Sequence, residues 1–421
     1  MRWGIPQVAG HRRFFVAFLV DSLGSGVFLP FSLIYFARAT SLAYTTVGTY
    51  LSIAALAGMA AIPFYGALID QCGPRRSMAL SNWLQAAGFL GYLGVRSAWQ
   101  LLVCAALISA GQNLYWTASG PVVMSIAAED EPDLWFGLFR ALRNVGMGVG
   151  ALLSAVVAAV GHGSTGRSLV LVNALSFVAA ALLMTREGPE RAFAGPGQSI
   201  GHRPPRARVW EGYLPALRDV VFLRIASANV LLALCTMVMP VVLTVYVTSI
   251  LHLPEWLAGA LFTTNALVIA ATQTVFSKYL TGLQPVTALQ LSALLWGLCF
   301  IGLWVASSPA PIAAAALTAA AALCFTAAEM AHAPVMSTVV GNLAPEGMQG
   351  RYFAIFQLTW SIPTALAPSV LTWLLHLGTA WLWAAMLVAC LLAVALLSVG
   401  RHRSCYRRRR RSYRRDRAQV R

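Results

Sequence analysis

Charged residues are scarce in this 421-residue chain. Only 10% of its residues are charged and 58% are hydrophobic, whereas a soluble domain carries about 25% charged residues. Lysine is scarcer still, because Lys278 is the one lysine among the 30 basic residues. This composition excludes an ordinary soluble protein and predicts an integral membrane protein.

Signatures of catalysis and metal binding are also missing. The sequence has no Walker-type phosphate-binding loop and no convincing Ser/His/Asp or metal-ligand constellation. Its seven cysteines are scattered without a CxxC pair, and in apolar segments cysteine usually serves as a small core residue. We therefore expect no enzyme, no cofactor and no metal, and an ion gradient rather than ATP as the source of energy.

Long apolar runs dominate what is present. A membrane-spanning helix needs about 20 mostly apolar residues. The runs that meet this length are about 14–38, 44–69, 77–96, 98–127, 138–161, 168–185, 220–249, 256–280, 285–306, 310–338, 351–375 and 379–399. They are continuous rather than alternating, which excludes an outer-membrane β-barrel. The first run is too long for a signal peptide. We predict an all-α integral membrane protein with twelve transmembrane helices.

Basic residues set the expected orientation in the membrane. With both termini in the cytoplasm, 27 lysines and arginines fall inside and only Arg38, Arg96 and Arg167 fall outside. Positive residues are enriched in cytoplasmic loops. The near-exclusive use of arginine is typical of a GC-rich coding sequence. We expect a multi-pass protein of a bacterial plasma (inner) membrane with both termini cytoplasmic.

The polar stretches divide the chain into four parts. Residues 187–218 are rich in Gly, Pro and Arg and predict a cytoplasmic linker between two six-helix halves, 1–186 and 219–400. The halves repeat faintly, since Pro30 aligns with Pro240 and Pro121 with Pro334. Residues 401–421 carry eleven arginines and one aspartate. Beside a membrane, this basic tail is expected to bind anionic lipid rather than nucleic acid.

Residues 66–76, GALIDQCGPRR, resemble the cytoplasmic-loop signature of the major facilitator superfamily, Gly-x-x-x-Asp-x-x-Gly-x-Arg-Arg/Lys. The matching residues are Gly66, Asp70, Gly73, Arg75 and Arg76. At a helix junction Asp70 can accept backbone N–H groups and pair with Arg75 or Arg76. The resemblance covers roughly residues 12–400 and implies two pseudo-symmetric halves that work by alternating access. It also implies that these five residues latch the halves in one access state.

A second resemblance concerns the fifth span. Gly146, Gly148 and Gly150 resemble the glycine-rich signature of the superfamily's twelve-helix drug/proton antiporter branch, although the Gly-Pro step of that signature is absent. Small residues alone also allow close packing of helices.

Only two of the fourteen acidic residues lie within predicted spans, Asp21 and Glu329. Charged side chains inside a membrane are costly and usually mark a transport pathway. Asp21 shares a polar helix face with Ser25 and Ser32, and Glu329 shares one with His332. By the resemblance, both acids would line one central pathway. We expect Asp21 and Glu329 to bind protons or substrate, and His332 either to extend a proton relay or to have no role in coupling.

Other polar and aromatic residues within the spans are weaker candidates for lining the cavity, since such groups often serve only as contacts between helices. These residues are Gln112, Asn113, Trp116, Asn229, Thr236, Asn265, Gln273, Gln357 and Trp360. No lysine or arginine is expected at the middle of a span, which favours cationic, neutral or amphipathic cargo over anions.

Three functions fit these features. The leading hypothesis is a monomeric secondary active transporter that exports small hydrophobic or cationic compounds in exchange for protons. The same acids would serve a proton-coupled symporter that takes up a sugar or another metabolite. A non-transporting membrane scaffold or sensor that acts through the basic tail is the third hypothesis.

Overall fold

The described residues of the chain fold almost entirely into helices. A computed structural model describes Pro6 and residues 12–28, 44–127, 131–160, 165–185, 211–306 and 311–398. These residues form helices and short connections, with no strand among them. Ser32, residues 187–210 of the predicted linker and the basic tail lie outside the described residues.

The helices fall into two groups along the chain. Before the predicted linker these are α1 (Arg12–Phe28), α2 (Tyr44–Ala60), α3 (Ile62–Cys72), α4 (Pro74–Tyr92), α5 (Ala98–Ile126), α6 (Pro132–Val160) and α7 (Thr165–Thr185). After it they are α8 (Leu214–Arg218), α9 (Val220–Thr236), α10 (Glu255–Leu280), α11 (Pro285–Ala306), α12 (Pro311–Leu343), α13 (Gln349–Leu377) and α14 (Thr379–Ser398). A 3₁₀ turn, Glu211–Tyr213, precedes α8, and two π-helical turns, Met239–Leu243 and Tyr246–Ile250, follow α9.

Eight of the described helices are long and apolar enough to cross a membrane. Helices α2 and α3 meet at 47° and form a ninth span if they are counted together. Pro63 lies in the first turn of α3, where the missing N–H interrupts the helical hydrogen bonds. The all-α membrane architecture is thus confirmed, and the number twelve stays a prediction.

Helix packing follows the division of the chain into two groups. In the first group α1 packs on α6 and α7, while α4 packs on α5 and α7. In the second, α11 packs on α12 and α14, while α9 packs on α13 and α14. The repeat-related Pro121 and Pro334 both lie inside helices, α5 and α12, and Pro240 lies in the first π-helical turn. Pro30 lies outside the described residues.

Glycines explain the close approach of α1 to α6. A methyl group at Gly146 would lie 2.6 Å from Cβ of Ser22, and one at Gly150 would overlap the backbone carbonyl of Leu23. Gly148, between them, has open space around it. The glycine-rich face of α6 therefore fits the backbone of α1, and this contact brings the polar residues of both helices together.

Candidate transport site

Asp21 is buried where α1 meets α6. Its side chain is only 3% exposed, and its Oδ2 atom lies 3.6 Å from Nη1 of Arg143. That separation allows an ion pair but is too long for a hydrogen bond. Oδ2 is fully buried and has no hydrogen-bond partner of ordinary geometry, so the Arg143 ion pair is the contact that balances its charge.

An aromatic residue of α5 lies beside each member of the Asp21–Arg143 pair. The hydroxyl group of Tyr115 lies beside Asp21 and, although buried, has no hydrogen-bond partner of ordinary geometry. The Tyr115 ring stacks on Phe18 with the ring centres 6.2 Å apart. The guanidinium carbon of Arg143 lies 4.5 Å from the centre of the Trp116 ring, within the range of a cation–π interaction.

Glu329 connects the two groups of helices. Its Oε1 atom accepts a hydrogen bond from Nη2 of Arg140 on α6, in an ion pair whose side chains are 22% (Arg140) and 19% (Glu329) exposed. Asn265 of α10 donates to Oε2 of Glu329 and to Oγ1 of Thr326, both at 3.1 Å. The carboxylate is thus held by groups from α6 and α10 as well as by its own helix.

The two arginines require a correction of the sequence interpretation. Arg140 and Arg143 were counted among the residues of the inner, cytoplasmic side, and neither was expected to pair with an acid. They lie in the third and fourth turns of α6, and each one reaches an acid inside the bundle. The physical reason is that a buried carboxylate is stabilised by a nearby opposite charge. The sequence alone did not identify these partners, although two arginines three positions apart in a predicted span were a visible signal.

His332 belongs to a separate network in the second group of helices. Its Nε2 atom lies 2.8 Å from Oδ1 of Asn229, and the Asn229 amide donates to Oγ1 of Thr359 at 2.6 Å. The imidazole packs between Trp296 and Trp360, whose ring centres are 5.2 and 5.3 Å away. These contacts make His332 part of the core between α9, α11, α12 and α13. The expected relay from Glu329 through His332 stays a prediction.

The remaining residues predicted to line the cavity lie in different surroundings. Ser25 is half-buried one turn beyond Asp21, and Gln112 is exposed on α5. Several others hydrogen-bond within their own helices: Asn113 to the carbonyl of Ser109, Thr236 to that of Ala233, Gln273 to Ser277 Oγ and Gln357 to Ser361 Oγ. Gln273 also donates to the carbonyl of Met330 at 3.1 Å. It thereby ties α10 to α12.

Asp70 binds across the two groups of helices. Oδ1 accepts the backbone N–H of Gly350 at 2.6 Å, and Oδ2 accepts from Nη1 of Arg351 at 2.9 Å. The backbone contact agrees with the expectation for a carboxylate at a helix N-terminus. The charged partner described here is Arg351, at the start of α13, rather than the expected Arg75 or Arg76, which are half-buried and exposed respectively.

Gly66 permits close packing at the same place. A methyl group there would lie 2.8 Å from Cβ of Ala354 and would overlap the Tyr213 hydroxyl. That hydroxyl donates to the carbonyl of Pro63 at 2.5 Å. Burial raises the pKa of the Tyr213 hydroxyl above its ordinary value, so the group stays a donor. Gly73, with φ of 89°, ends α3 in a conformation that favours glycine.

Further contacts between the two groups of helices lie at the end of the bundle that contains Asp70. A methyl group at any of three glycines would press on a side chain of the other group: Gly120 on Phe353, Gly137 on Ser277 and Gly341 on Met124. Four of these residues lie near the C-terminal ends of their helices, as Asp70 does, and Gly137 and Phe353 lie near the N-terminal ends of theirs. We call this region the Asp70 end. The structure is closed there.

Charged pairs inside an all-helical membrane bundle are typical of a transport pathway. The family model of the Major Facilitator Superfamily matches residues 14–368. The chain belongs to this superfamily. No set of three or more His, Cys, Asp or Glu side chains suited to a metal occurs in the described part of the chain.

Known relatives agree with this assignment. A "Na(+), Li(+), K(+)/H(+) antiporter" of Planococcus maritimus is 26% identical over 377 residues, which cover 84% of this chain and 86% of the relative. A bacterial homologue of the iron transporter ferroportin, crystallised in an outward-facing state, has a TM-score of 0.72 at 17% identity, covering 92% of this chain and 98% of that one. The Escherichia coli fucose:proton symporter FucP has a TM-score of 0.67 at 14% identity, covering 92% and 96%. At such identities the two solved structures show the fold alone.

Proposed function

We propose that this transporter exports small cationic or hydrophobic compounds in exchange for protons, and that Asp21 binds the proton and the cargo in turn. The observation that carries this proposal is the Asp21 carboxylate. It is buried on α1, a helix that the sequence predicts to cross the membrane, has an oxygen without a hydrogen bond and has only a loose ion pair with Arg143.

Competition for one carboxylate is the simplest way to couple two fluxes. A proton on Asp21 removes the negative charge that attracts a cation, and a bound cation opposes protonation in the same way. Because the pair with Arg143 is not tightened by a hydrogen bond, binding of either ligand at the carboxylate need not break one. Occupation by both at once is unfavourable, as exchange requires.

The charges around the site support cationic or neutral cargo. Asp21 and Glu329 are each balanced by one arginine, Arg143 and Arg140. Among the described residues of this region, neither arginine is left over to hold an anion. The relative from Planococcus maritimus is itself a cation/proton antiporter, which supports exchange of inorganic cations as well as organic ones.

Alternating access would use the two groups of helices as its moving parts, with boundaries at 1–186 and 219–400 and the linker 187–218 between them. The Asp70 end is closed by Asp70, Arg351 and Gly66. We infer that this end faces the cytoplasm of a bacterial cell, as the distribution of basic residues predicts, and that the cavity then opens outward. The tail, 401–421, would lie on anionic lipid.

The test is reconstitution into liposomes that enclose a pH-sensitive dye. Addition of Na⁺, K⁺ or tetraphenylphosphonium should release protons from acid-loaded vesicles containing the native protein. Asp21→Asn should abolish this release because an amide binds neither a proton nor a cation in exchange. Ser25→Ala, one turn away on α1, is the matched control and should keep most of the activity.

Two results would count against the proposal. Proton release that persists in Asp21→Asn would show that the coupling group is elsewhere. Proton and cargo movement in the same direction would identify a symporter, which is the alternative that the sequence left open.

A further inference from the structure

We propose that Trp116 is a positioning residue of the proton site: its ring holds Arg143 beside Asp21 without a hydrogen bond, and so sets the pH at which the site exchanges its proton. This inference rests on the proposed role of Asp21. It assigns to Trp116 an action on Arg143 rather than contact with the cargo.

The geometry places Arg143 between two competing partners. Its guanidinium carbon lies 4.5 Å from the centre of the Trp116 ring, and its Nη1 atom lies 3.6 Å from Oδ2 of Asp21. A guanidinium next to a carboxylate ordinarily forms hydrogen bonds of 2.7–2.9 Å, often two of them. Here it stays farther away while it covers the indole face. Arg143 therefore combines a cation–π contact with Trp116 and an ion pair with Asp21 that stops short of hydrogen-bond distance.

The other groups that face Asp21 carry no charge that could replace that of Arg143. From α5 comes the Tyr115 hydroxyl, which is neutral and has no hydrogen-bond partner of ordinary geometry. Helix α7 also packs on α1, and its one ionisable residue, Arg167, is exposed in its first turn. On α6, Arg140 is engaged by Glu329. In the described part of this region, Arg143 is thus the charge that acts on Asp21.

Removal of the Trp116 ring should let Arg143 move onto the carboxylate. A direct hydrogen-bonded pair favours ionised Asp21, so a higher proton concentration would be needed to load the site. The strength of a partly desolvated cation–π contact corresponds to a shift of about half a pH unit to one unit. The pH midpoint of transport should therefore move to more acid values.

The experiment measures the initial rate of Na⁺- or tetraphenylphosphonium-driven proton release over a range of symmetrical pH. Trp116→Leu should lower the midpoint as stated, while Trp116→Phe, which keeps an aromatic face, should shift it less. Arg143→Lys should shift it in the same direction as Trp116→Leu, because an ammonium group does not stack as a planar guanidinium does. This variant tests the proposal even where Trp116→Leu does not fold.

A double-mutant cycle separates positioning from a general effect on structure. Arg143→Gln should raise the midpoint because Asp21 loses its counter-charge, and adding Trp116→Leu should then cause no further shift. An equal shift in both backgrounds, no shift, or a shift of Trp116→Leu to more alkaline pH would overturn the inference. If Asp21→Asn leaves coupling intact, the proposed function fails; if Asp21→Asn abolishes coupling but the cycle is additive, only the role of Trp116 fails.

Discussion

The ion pair between Arg140 and Glu329 should help to hold the two groups of helices together in the closed state. It joins α6 to α12, and Asn265 adds a contact from α10. The proposed opening of the Asp70 end would separate α6 from α12, and the pair would then break in each transport cycle. The perturbation that tests this role is Glu329→Gln, which keeps the shape of the side chain and removes its charge.

The expected magnitude follows from the burial of the pair. Its side chains are 22% and 19% exposed, so water screens the charges only in part. A hydrogen bond to a charged group contributes about 1.5–3 kcal/mol, against about 0.5–1.5 kcal/mol for a neutral one. Glu329→Gln should therefore cost the closed state about 1–2 kcal/mol, which changes the ratio of closed to open molecules about 5- to 30-fold.

Distance measurement between spin labels reports this ratio directly. Cys72, at the end of α3, and Tyr279, near the end of α10, are exposed on opposite groups at the Asp70 end. With Tyr279→Cys introduced and the other cysteines replaced, labels on these two positions should show a larger long-distance population in Glu329→Gln than in the native background.

Two comparisons make the measurement decisive. Glu255→Gln removes an exposed acid at the start of α10 and should leave the distances unchanged. Arg140→Gln combined with Glu329→Gln should shift them less than Glu329→Gln alone, because no unpaired cation is left behind. A distance distribution that Glu329→Gln does not alter would refute the reasoning.

Two further predictions concern stability. Gly150→Val should lower the thermal unfolding temperature, because its side chain would overlap the backbone of Leu23. Gly148→Ala should leave this temperature unchanged, since that glycine has open space around it. Similar unfolding temperatures for the two variants would contradict this packing. His332→Phe leaves the Asn229 oxygen without its partner and should cost about 1–3 kcal/mol of stability. It should leave cation-driven proton release intact in the molecules that fold, and loss of coupling at full stability would instead support the proton relay.

Much of the site's chemistry was visible in the sequence because charge is rare in an apolar segment. Asp21 and Glu329 stand out for that reason alone, and the glycines at 66 and 73 mark tight packing and a tight turn. Each of these is a local property, since it depends on a residue and its near neighbours. Local properties of this kind also predicted the all-helical membrane fold.

The partners of the acids were not visible because they depend on how distant helices are rotated toward each other. Arg140 and Glu329 are 189 positions apart, and Asp70 and Arg351 are 281 apart. The positive-inside rule placed Arg140 on the cytoplasmic side because it lies near the beginning of a span. The rule counts charges at membrane faces and carries no information on which arginine side chain turns into the bundle.

The two arginines of α6 also bear on how the chain enters the membrane. Charged residues within membrane helices are costly to insert unless they are paired, and α6 carries Arg140 and Arg143. Synthesis proceeds from the N-terminus, so Asp21 is already made when Arg143 emerges, whereas Glu329 is made long after Arg140. The second half of the chain therefore supplies the counter-charge for an arginine of the first, whereas Arg143 has its partner within its own half.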